Sequence, residues 1–253
     1  MAIMDNILKF FEEMGRLVIW VIRVLWHGLT PPYYPMEMVK LVARWGPALI
    51  PTFITVGVVF AIALSAIIFP ILANLGLPYV IVSFVVAVMG GELGVILAGG
   101  IGGAQAVPAV AAEIATMKQA DEIDALSVMG IDPIKYIAFP IVIMLPIILA
   151  SLTILVNFLM LWSVILSGAI IYKLNIGILM SNVKVLFDPA EFIMSIYRAA
   201  LIGLVAGFVC SYYGLNSEPT TEGIGSAAKN AIVRGYLQGL ALVAIFDLLI
   251  YKF

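Results

Sequence analysis

The chain has 253 residues, of which 64% are hydrophobic and 11% are charged, and its mean hydropathy is +1.16. A soluble globular domain carries about 25% charged residues, so this composition predicts an integral membrane protein. The formal net charge is -2 and the 13 Lys and Arg residues are dispersed, which excludes a basic surface for nucleic acid. The single cysteine, Cys210, excludes an internal disulfide.

The N-terminal segment, residues 1–45, mixes apolar side chains with charged ones and carries Trp20, Trp26 and Trp45. This pattern is typical of an amphipathic helix in the headgroup layer of a membrane. We therefore expect an interfacial segment here, with a first membrane span as the alternative. Because Arg23 interrupts the first apolar run and no small-residue cleavage site follows, we expect no cleavable signal peptide.

Charge-free runs extend from Trp45 to Gly91 and from Tyr136 to Tyr172. A crossing needs about 20 apolar residues, so the first run predicts two spans and the second predicts one long span. Two further apolar segments complete a transmembrane domain over 46–253. The predicted spans lie at about 47–73, 79–103, 136–172, 196–213 and 231–251, which makes the chain an all-α integral membrane protein with about five transmembrane helices.

A long polar interruption, Ala111 to Pro140, separates the second predicted span from the third. It holds five of the 15 carboxylates, namely Glu113, Asp121, Glu122, Asp124 and Asp132. Unpaired carboxylates are costly in hydrocarbon, so this segment is expected in water or in the headgroup layer. From the residues alone, it is either a solvated loop between spans or a docking surface for a partner.

Local signals divide the polar segment into short helices. The apolar pattern changes phase near Gln119, Asp121 is a candidate N-cap, and Gly130 is a candidate C-terminal stop. Asp132 followed by Pro133 is a favourable start for a new helix. We expect a bent, amphipathic element with an apolar side and an acidic side.

Several short motifs inside and outside the polar segment occur in a fixed order along the chain. Glu92-Leu93-Gly94, Ala112-Glu113-Ile114 and the run Asp124 to Pro133 stand in this order, and Gly214-Leu215-Asn216 and Glu222 to Gly225 follow near the C-terminus. With these motifs the chain resembles the MlaE/YrbE family over about residues 45 to 250. Members of that family are permease subunits of ABC transporters that move lipids together with MCE proteins.

The resemblance implies a function and a set of partners. It implies a phospholipid or related lipid as cargo, a separate ATPase subunit that binds ATP and Mg²⁺, an MCE-domain protein, a second copy of the chain and a small STAS-type regulator. It also implies that residues 109–133 form a coupling helix that fits the ATPase. The candidate coupling residues are Glu113, Met117, Asp121, Glu122, Asp124, Leu126, Met129 and Asp132. The expected location is the bacterial inner membrane, with no cofactor on this chain.

Orientation follows from the distribution of Lys and Arg. With the N-terminus inside, nine of the 13 fall on inner segments, namely Lys9, Arg16, Arg23, Lys40, Arg44, Lys118, Lys135, Lys229 and Arg234. The others are Lys173, Lys184, Arg198 and Lys252. This excess predicts a cytoplasmic N-terminus and a cytoplasmic polar segment.

Two further groups are candidate functional residues. Glu92 and Asp247 lie within apolar spans and Arg198 lies at the edge of one, so they are expected to face a cavity or each other. They either take part in transport or fix helix packing.

One stripe of the first span is apolar and consists of Leu64, Ile68, Ile71, Leu72 and Leu75. This stripe either lines a lipid pocket or faces lipid or a neighbouring helix.

Two other classes of function were weighed. The chain has no P-loop motif, so we expect it to lack an ATPase site, and we expect neither a catalytic nor a metal site. A lipid-modifying enzyme would use acidic residues such as Asp121 and Asp124 to bind Mg²⁺. The Mg²⁺-binding pattern of CDP-alcohol transferases is Asp-x-x-Asp-Gly, however, and this chain has Ala125 in place of the glycine. An ion-coupled transporter built on Glu92 and Asp247 would predict internal repeats, and none is evident.

Overall fold

Long helices connected by short polar turns make up the described part of this chain. The computed structural model describes the backbone of residues 2–91 and 93–250, and the surroundings of the side chains in 12–81, 83–86, 93–235 and 237–249. Within these ranges no strand forms. The helices are α1 (Ala2–Gly28), α2 (Pro35–Asn74), α3 (Val80–Gly91), α4 (Leu93–Gln119), α5 (Glu122–Val128), a π-helical turn (Ile134–Ala138), α6 (Phe139–Ile170), α7 (Ile176–Leu186), α8 (Pro189–Leu215) and α9 (Thr221–Ile250).

Five helical segments in the described part are long and apolar enough to cross a bilayer. They are Pro35–Asn74, Leu93–Gln119, Ile134–Ile170, Pro189–Leu215 and Thr221–Leu249. Helix α1 is not among them. The predicted fold class, an all-α integral membrane protein with about five transmembrane helices, is confirmed.

Several helices extend beyond the predicted spans at their polar ends. The first spanning helix begins at Pro35 rather than near 47, the fourth at Pro189 rather than near 196, and the fifth at Thr221 rather than near 231. Apolar composition marks the part of a helix that can lie in hydrocarbon, whereas a helix continues as long as its backbone hydrogen bonds do. The helices are therefore longer than the predicted spans at these ends, and the bounds of the spans within the membrane stay a prediction.

The second crossing differs most from its prediction. The candidate span is Leu93–Gln119 rather than 79–103, and the preceding residues form the separate helix α3, Val80–Gly91. Residues 99–103, which include four glycines, are helical. Glycine lowers helix propensity without forbidding a helix, so α4 continues through this stretch.

By packing, the chain divides into two compact units. The first comprises Met1–Gly46, Gly103–Ile147 and Leu201–Phe253. In its core, Trp20 and Val24 of α1 cluster with Ala138, Val142 and Phe208. The Trp20 indole N–H donates to Ser211 Oγ at 3.2 Å. One face of α1 is thus buried in protein, and its opposite face exposes Ile22 and Trp26.

Two glycines bring α8 into backbone contact with the beginning of α6. A Cβ atom built on Gly203 would lie 2.7 Å from Pro146 Cα, and one built on Gly207 would lie 2.8 Å from Val142 Cα. Such distances are too short for real carbon atoms. The Gly203-x-x-x-Gly207 sequence therefore forms a small-residue face of the kind that lets membrane helices approach closely.

The second unit comprises Pro47–Gly102 and Ile148–Ala200. Its α2 segment buries a face spaced at four residues that includes Phe53, Ala61, Ser65 and Phe69. The ring of Phe69 stacks on Tyr172 with centroids 4.2 Å apart. This unit also contains α7, which packs against α3.

Candidate functional site

The polar segment folds into a short helix, α5, held between two defined breaks. Helix α4 ends at Gln119, as the change of phase predicted, and Asp121 adopts the left-handed conformation with φ 57° and ψ 14°. Aspartate tolerates this conformation better than most residues. Asp121 occupies the N-cap position of α5, but its side chain makes no capping hydrogen bond.

The C-terminal end of α5 is a Schellman motif. Gly130 has φ +75°, its N–H donates to Ser127 O at 3.1 Å, and the N–H of Ile131 donates to Leu126 O at 2.9 Å. Glycine suits this position because it has no Cβ to clash in the left-handed region. The predicted stop at Gly130 is confirmed.

The two sides of α5 have different surroundings. Ile123 is 9% exposed, and Leu126, three residues later on the same face, is half-buried. The exposed residues are Asp121, Glu122, Asp124, Ala125, Ser127, Val128, Met129 and Gly130. Val128 is 89% exposed and Met129 66%. The predicted acidic side is present, and the element ends in an exposed apolar tip formed by Val128 and Met129.

Asp132 connects α5 to the N-terminal segment. Its Oδ2 atom lies 2.6 Å from Nδ1 of His27, at the end of α1, and its Oδ1 atom accepts from the backbone N–H of Ile134 at 2.9 Å. The second contact is the predicted helix start. The contact between His27 and Asp132 was not predicted from the sequence, because 105 residues separate the two partners and no local pattern connects them.

Two more contacts tie the loop between α1 and α2 to the same region. Lys135 Nζ donates to the carbonyl oxygen of Pro31 at 3.1 Å. The rings of Tyr34 and Tyr136 meet edge to face with centroids 5.1 Å apart. The segment that follows α5 is therefore held by residues 27–34 as well as by its own helix.

Glu113 and Met117 lie beside a groove rather than on α5. The groove is formed by the first turns of α2, the last turns of α4 and the beginning of the third span, and its volume is about 320 Å³. We call it the α2–α4 groove. Arg44 of α2 donates to the Glu113 carboxylate, and Met117 is half-buried along the wall.

The second motif near the C-terminus surrounds a polar cavity of about 360 Å³. Asn216, Glu222, Gly223 and Ser226 are among its lining residues. Lys118, at the end of α4, donates to the carbonyl oxygen of Leu215 at 2.8 Å. The two motif regions, distant in sequence, are thereby joined within the first unit.

The structure places the eight candidate coupling residues in three settings. Asp121, Glu122, Asp124 and Met129 are exposed on α5 or its ends, with Leu126 half-buried beneath them. Glu113 and Met117 line the α2–α4 groove, and Asp132 is bonded to His27. The coupling role of all eight stays a prediction.

The candidate intramembrane charges are only partly described. Arg198 of α8 is 1% exposed and lies 4.0 Å from Glu191. Asp247 of α9 is half-buried. Glu92 lies outside the described residues, so the proposed association of the three charges stays a prediction. Burial of a guanidinium requires compensating partners. Arg198 is therefore expected to be held in one position within the second unit.

The candidate lipid-pocket stripe does not form the buried face of α2. Leu64, Ile68 and Leu72 are half-buried, whereas Ile71 is 56% and Leu75 66% exposed. The stripe is available for lipid or for another chain, and its pocket role stays a prediction.

In the described part of the chain, no group of three or more His, Cys, Asp or Glu could hold a metal ion.

Comparisons with known proteins give a consistent assignment. The family model described as Permease MlaE matches residues 38–251. A probable ABC transporter permease protein of Rickettsia conorii is 32% identical over 144 residues, covering 56% of this chain and 55% of the relative. One of Rickettsia typhi is 32% identical over 164 residues, covering 64% and 62%. Protein TRIGALACTOSYLDIACYLGLYCEROL 1, chloroplastic, of Arabidopsis thaliana is 27% identical over 138 residues, covering 54% and 38%. The match to the Rickettsia conorii protein thus spans about half of that relative.

Proposed function

Because the chain belongs to the MlaE permease family, we propose that it is the membrane-spanning subunit of an ABC transporter. In this proposal it moves phospholipid or a related lipid between the inner membrane and an MCE-domain protein. A separate ATPase subunit binds ATP and Mg²⁺ and drives the movement. The Rickettsia relatives, which are named probable ABC transporter permeases, support the transporter class.

The observation that carries the proposal is the exposed surface of α5. Three carboxylates, Asp121, Glu122 and Asp124, are exposed together, next to the exposed Val128 and Met129. An apolar tip bordered by charges is typical of a protein interaction surface. Its place between two membrane-spanning helices suits it to transmit force from a partner to the membrane domain.

A lipid cargo is supported by two facts. The Arabidopsis relative carries the name of a diacylglycerol glycolipid. The first spanning helix also presents apolar side chains such as Ile67, Ile71 and Leu75, each more than half exposed. In a pair of chains, such faces would form an apolar pathway between two copies.

The proposed orientation places the N-terminus and α5 in the cytoplasm of a bacterial cell. The excess of Lys and Arg on the corresponding segments supports it. The proposed assembly contains two copies of this chain, the ATPase and the MCE-domain protein, and a STAS-type regulator is a further candidate partner.

A pull-down from detergent-solubilised native membranes tests the assembly. We expect a P-loop ATPase and an MCE-domain protein to copurify with the chain. Recovery of the chain alone, with lipid conversion or ion flux intact, would contradict the proposal.

Charge reversal tests the docking surface. Glu122→Lys combined with Asp124→Lys should reduce recovery of the ATPase roughly tenfold or more, since like-charge juxtaposition at an interface costs several kcal/mol. The matched control is Glu12→Lys combined with Glu218→Lys, which makes the same charge change at two other exposed sites. If both double variants recover equal amounts of ATPase, α5 is not the docking surface.

A further inference from the structure

The α2–α4 groove is apolar inside and charged at its mouth. Its apolar lining consists of Leu41, Val110, Ile114, Met117, Ile137 and Ile141. Lys40 and Glu37 lie at its rim with Nζ and Oε1 2.6 Å apart, next to the pair formed by Arg44 and Glu113. A volume of about 320 Å³ is at the lower end of the range for small-molecule sites, roughly 300–1,000 Å³.

The groove also stands at the place where the chain changes from polar to apolar. Beyond Arg44, α2 enters the charge-free run that starts at Trp45, and the third span enters its own charge-free run at Tyr136. Trp and Tyr are enriched at the boundary between hydrocarbon and headgroups. The mouth of the groove therefore lies at headgroup level, and its lining continues toward the hydrocarbon.

The cations at the mouth have donors to spare. Lys40 gives one hydrogen bond to Glu37 and Arg44 gives one to Glu113, whereas an ammonium group has three donors and a guanidinium five. Both side chains are about two-thirds exposed, at 64% and 66%. Each cation also has a carboxylate partner, Glu37 or Glu113, so the mouth has no net charge and a phosphate group would bind through the remaining donors.

An unsatisfied donor borders the same groove. The indole N–H of Trp45, one of the lining residues, is shielded from solvent and has no acceptor among the described residues. Buried polar groups normally have a partner. An oxygen acceptor on a molecule bound in the groove would have to reach this N–H within the groove wall.

From these four observations we propose that the α2–α4 groove binds one acyl chain of a membrane phospholipid, with the phosphate at Lys40 and Arg44. A volume of about 320 Å³ leaves room for part of one chain and not for two, so the second chain stays in the bilayer. The groove wall includes the last turns of α4 and the π-helical turn, the two elements that flank α5. The bound lipid is thus a structural ligand at the base of the candidate coupling surface, and its binding does not depend on which cargo is transported.

Photocrosslinking in membranes tests this site. The probe is phosphatidic acid with a diazirine on one acyl chain, and mass spectrometry locates the labelled residues. We expect labelling of Leu41 and Met117, which are half-buried and line the groove. Labelling confined to outward-facing residues such as Val39 would overturn the proposal.

Two variants on α2 provide the matched comparison. Leu41→Phe fills the groove and should lower the labelling of Met117 roughly tenfold, which corresponds to about 1.4 kcal/mol. Val39→Phe adds an aromatic ring at a position that is 63% exposed and outside the groove, and it should leave the labelling unchanged. Equal labelling in the two variants, both checked for an unchanged elution volume in gel filtration, would contradict the assignment.

The phosphate assignment has its own test. A diazirine diacylglycerol, which lacks the phosphate, should label Met117 several-fold less than the phosphatidic acid probe does. Arg44→Gln combined with Lys40→Gln should reduce the phosphatidic acid labelling to the diacylglycerol level. Labelling that is independent of the phosphate and of both cations would overturn this part of the proposal.

Discussion

At the scale of single residues, glycine determines how closely the membrane helices approach. Gly203 and Gly207 face the backbone of Pro146 and Val142, whereas Gly225, in the first turns of α9, has nothing within 4 Å of the position of a Cβ atom. Glycine thus has a packing role at these two positions of α8 and none at Gly225 of α9. Spacing alone suggests a contact face, but only the neighbouring helix shows which glycines form it.

Gly207→Ala should destabilise the protein, because the added methyl group would meet Val142 Cα at 2.8 Å. Overpacking of this kind typically costs about 1 to 3 kcal/mol. We expect a lower midpoint of thermal unfolding in detergent. Gly225→Ala is the control, and it should hold or raise the midpoint, since alanine in a helix is favoured over glycine by roughly 0.5 to 1 kcal/mol. Equal midpoints for both variants would argue against close contact at Gly207.

At the scale of elements, α5 is supported by the N-terminal segment as well as by its neighbours in sequence. His27, Pro31 and Tyr34 each contact a residue between Asp132 and Tyr136. A displacement of α5 would therefore act on α1 and on the start of the third span together. The loop between α1 and α2 is in this sense part of the candidate coupling surface.

Asp132→Ala should loosen this support. Hydrogen bonds to charged groups contribute about 1.5 to 3 kcal/mol, and the partial exposure of His27 and Asp132, 39% and 31%, lowers the expected loss to about 1 kcal/mol. Amide hydrogen exchange in residues 27–34 and 131–136 should then rise roughly fivefold. Glu12→Ala, which removes an exposed pair with Arg16, should leave these segments unchanged. An unaltered exchange rate in Asp132→Ala would show that the other contacts suffice.

Local backbone signals were the most predictable part of this region. The end of α4 at Gln119, the glycine stop at Gly130 and the hydrogen bond from Ile134 to Asp132 all depend on residues within a few positions of each other. Gly223 and Gly225 lie inside α9, although glycine is common in turns. Glycine lowers the propensity of a segment to form a helix, but tertiary contacts can override that preference.

Long-range pairs could not be predicted. His27 with Asp132 and Arg44 with Glu113 are separated by 105 and 69 residues, and nothing near either residue indicates its partner. The α2–α4 groove depends on three segments meeting, so its existence also required the structure. Apolar runs identified the spans, but the polar ends of α2, α8 and α9 carry no hydropathy signal.

At the scale of the whole molecule, the described contacts agree with five crossings. Lys118 bonds to Leu215 and His27 to Asp132, and five crossings place all four residues on the same side of the membrane. Asn182 donates to the carbonyl oxygen of Tyr79 at 3.1 Å, and five crossings likewise place these two residues on one side.

Cysteine labelling tests this topology. In a Cys210→Ser background, a membrane-impermeant maleimide applied from outside the cell should label Lys184→Cys. It should label Ser127→Cys and Glu218→Cys only after the membrane is opened, since an odd number of crossings separates them from Lys184. All three positions are exposed, so protein burial does not limit the reaction. Labelling of Ser127→Cys in intact cells would contradict the cytoplasmic placement of α5.

The bare apolar tip of α5 has a consequence for how such a subunit is made. Val128 and Met129, 89% and 66% exposed, would stand in water on any copy synthesised in excess of its partner. Exposed apolar residues of this kind promote aggregation and mark a chain for chaperones and proteases, and an exposed methionine is open to oxidation. Unassembled copies are therefore expected to be short-lived, so that the amount of partner available for docking sets how much of this chain accumulates.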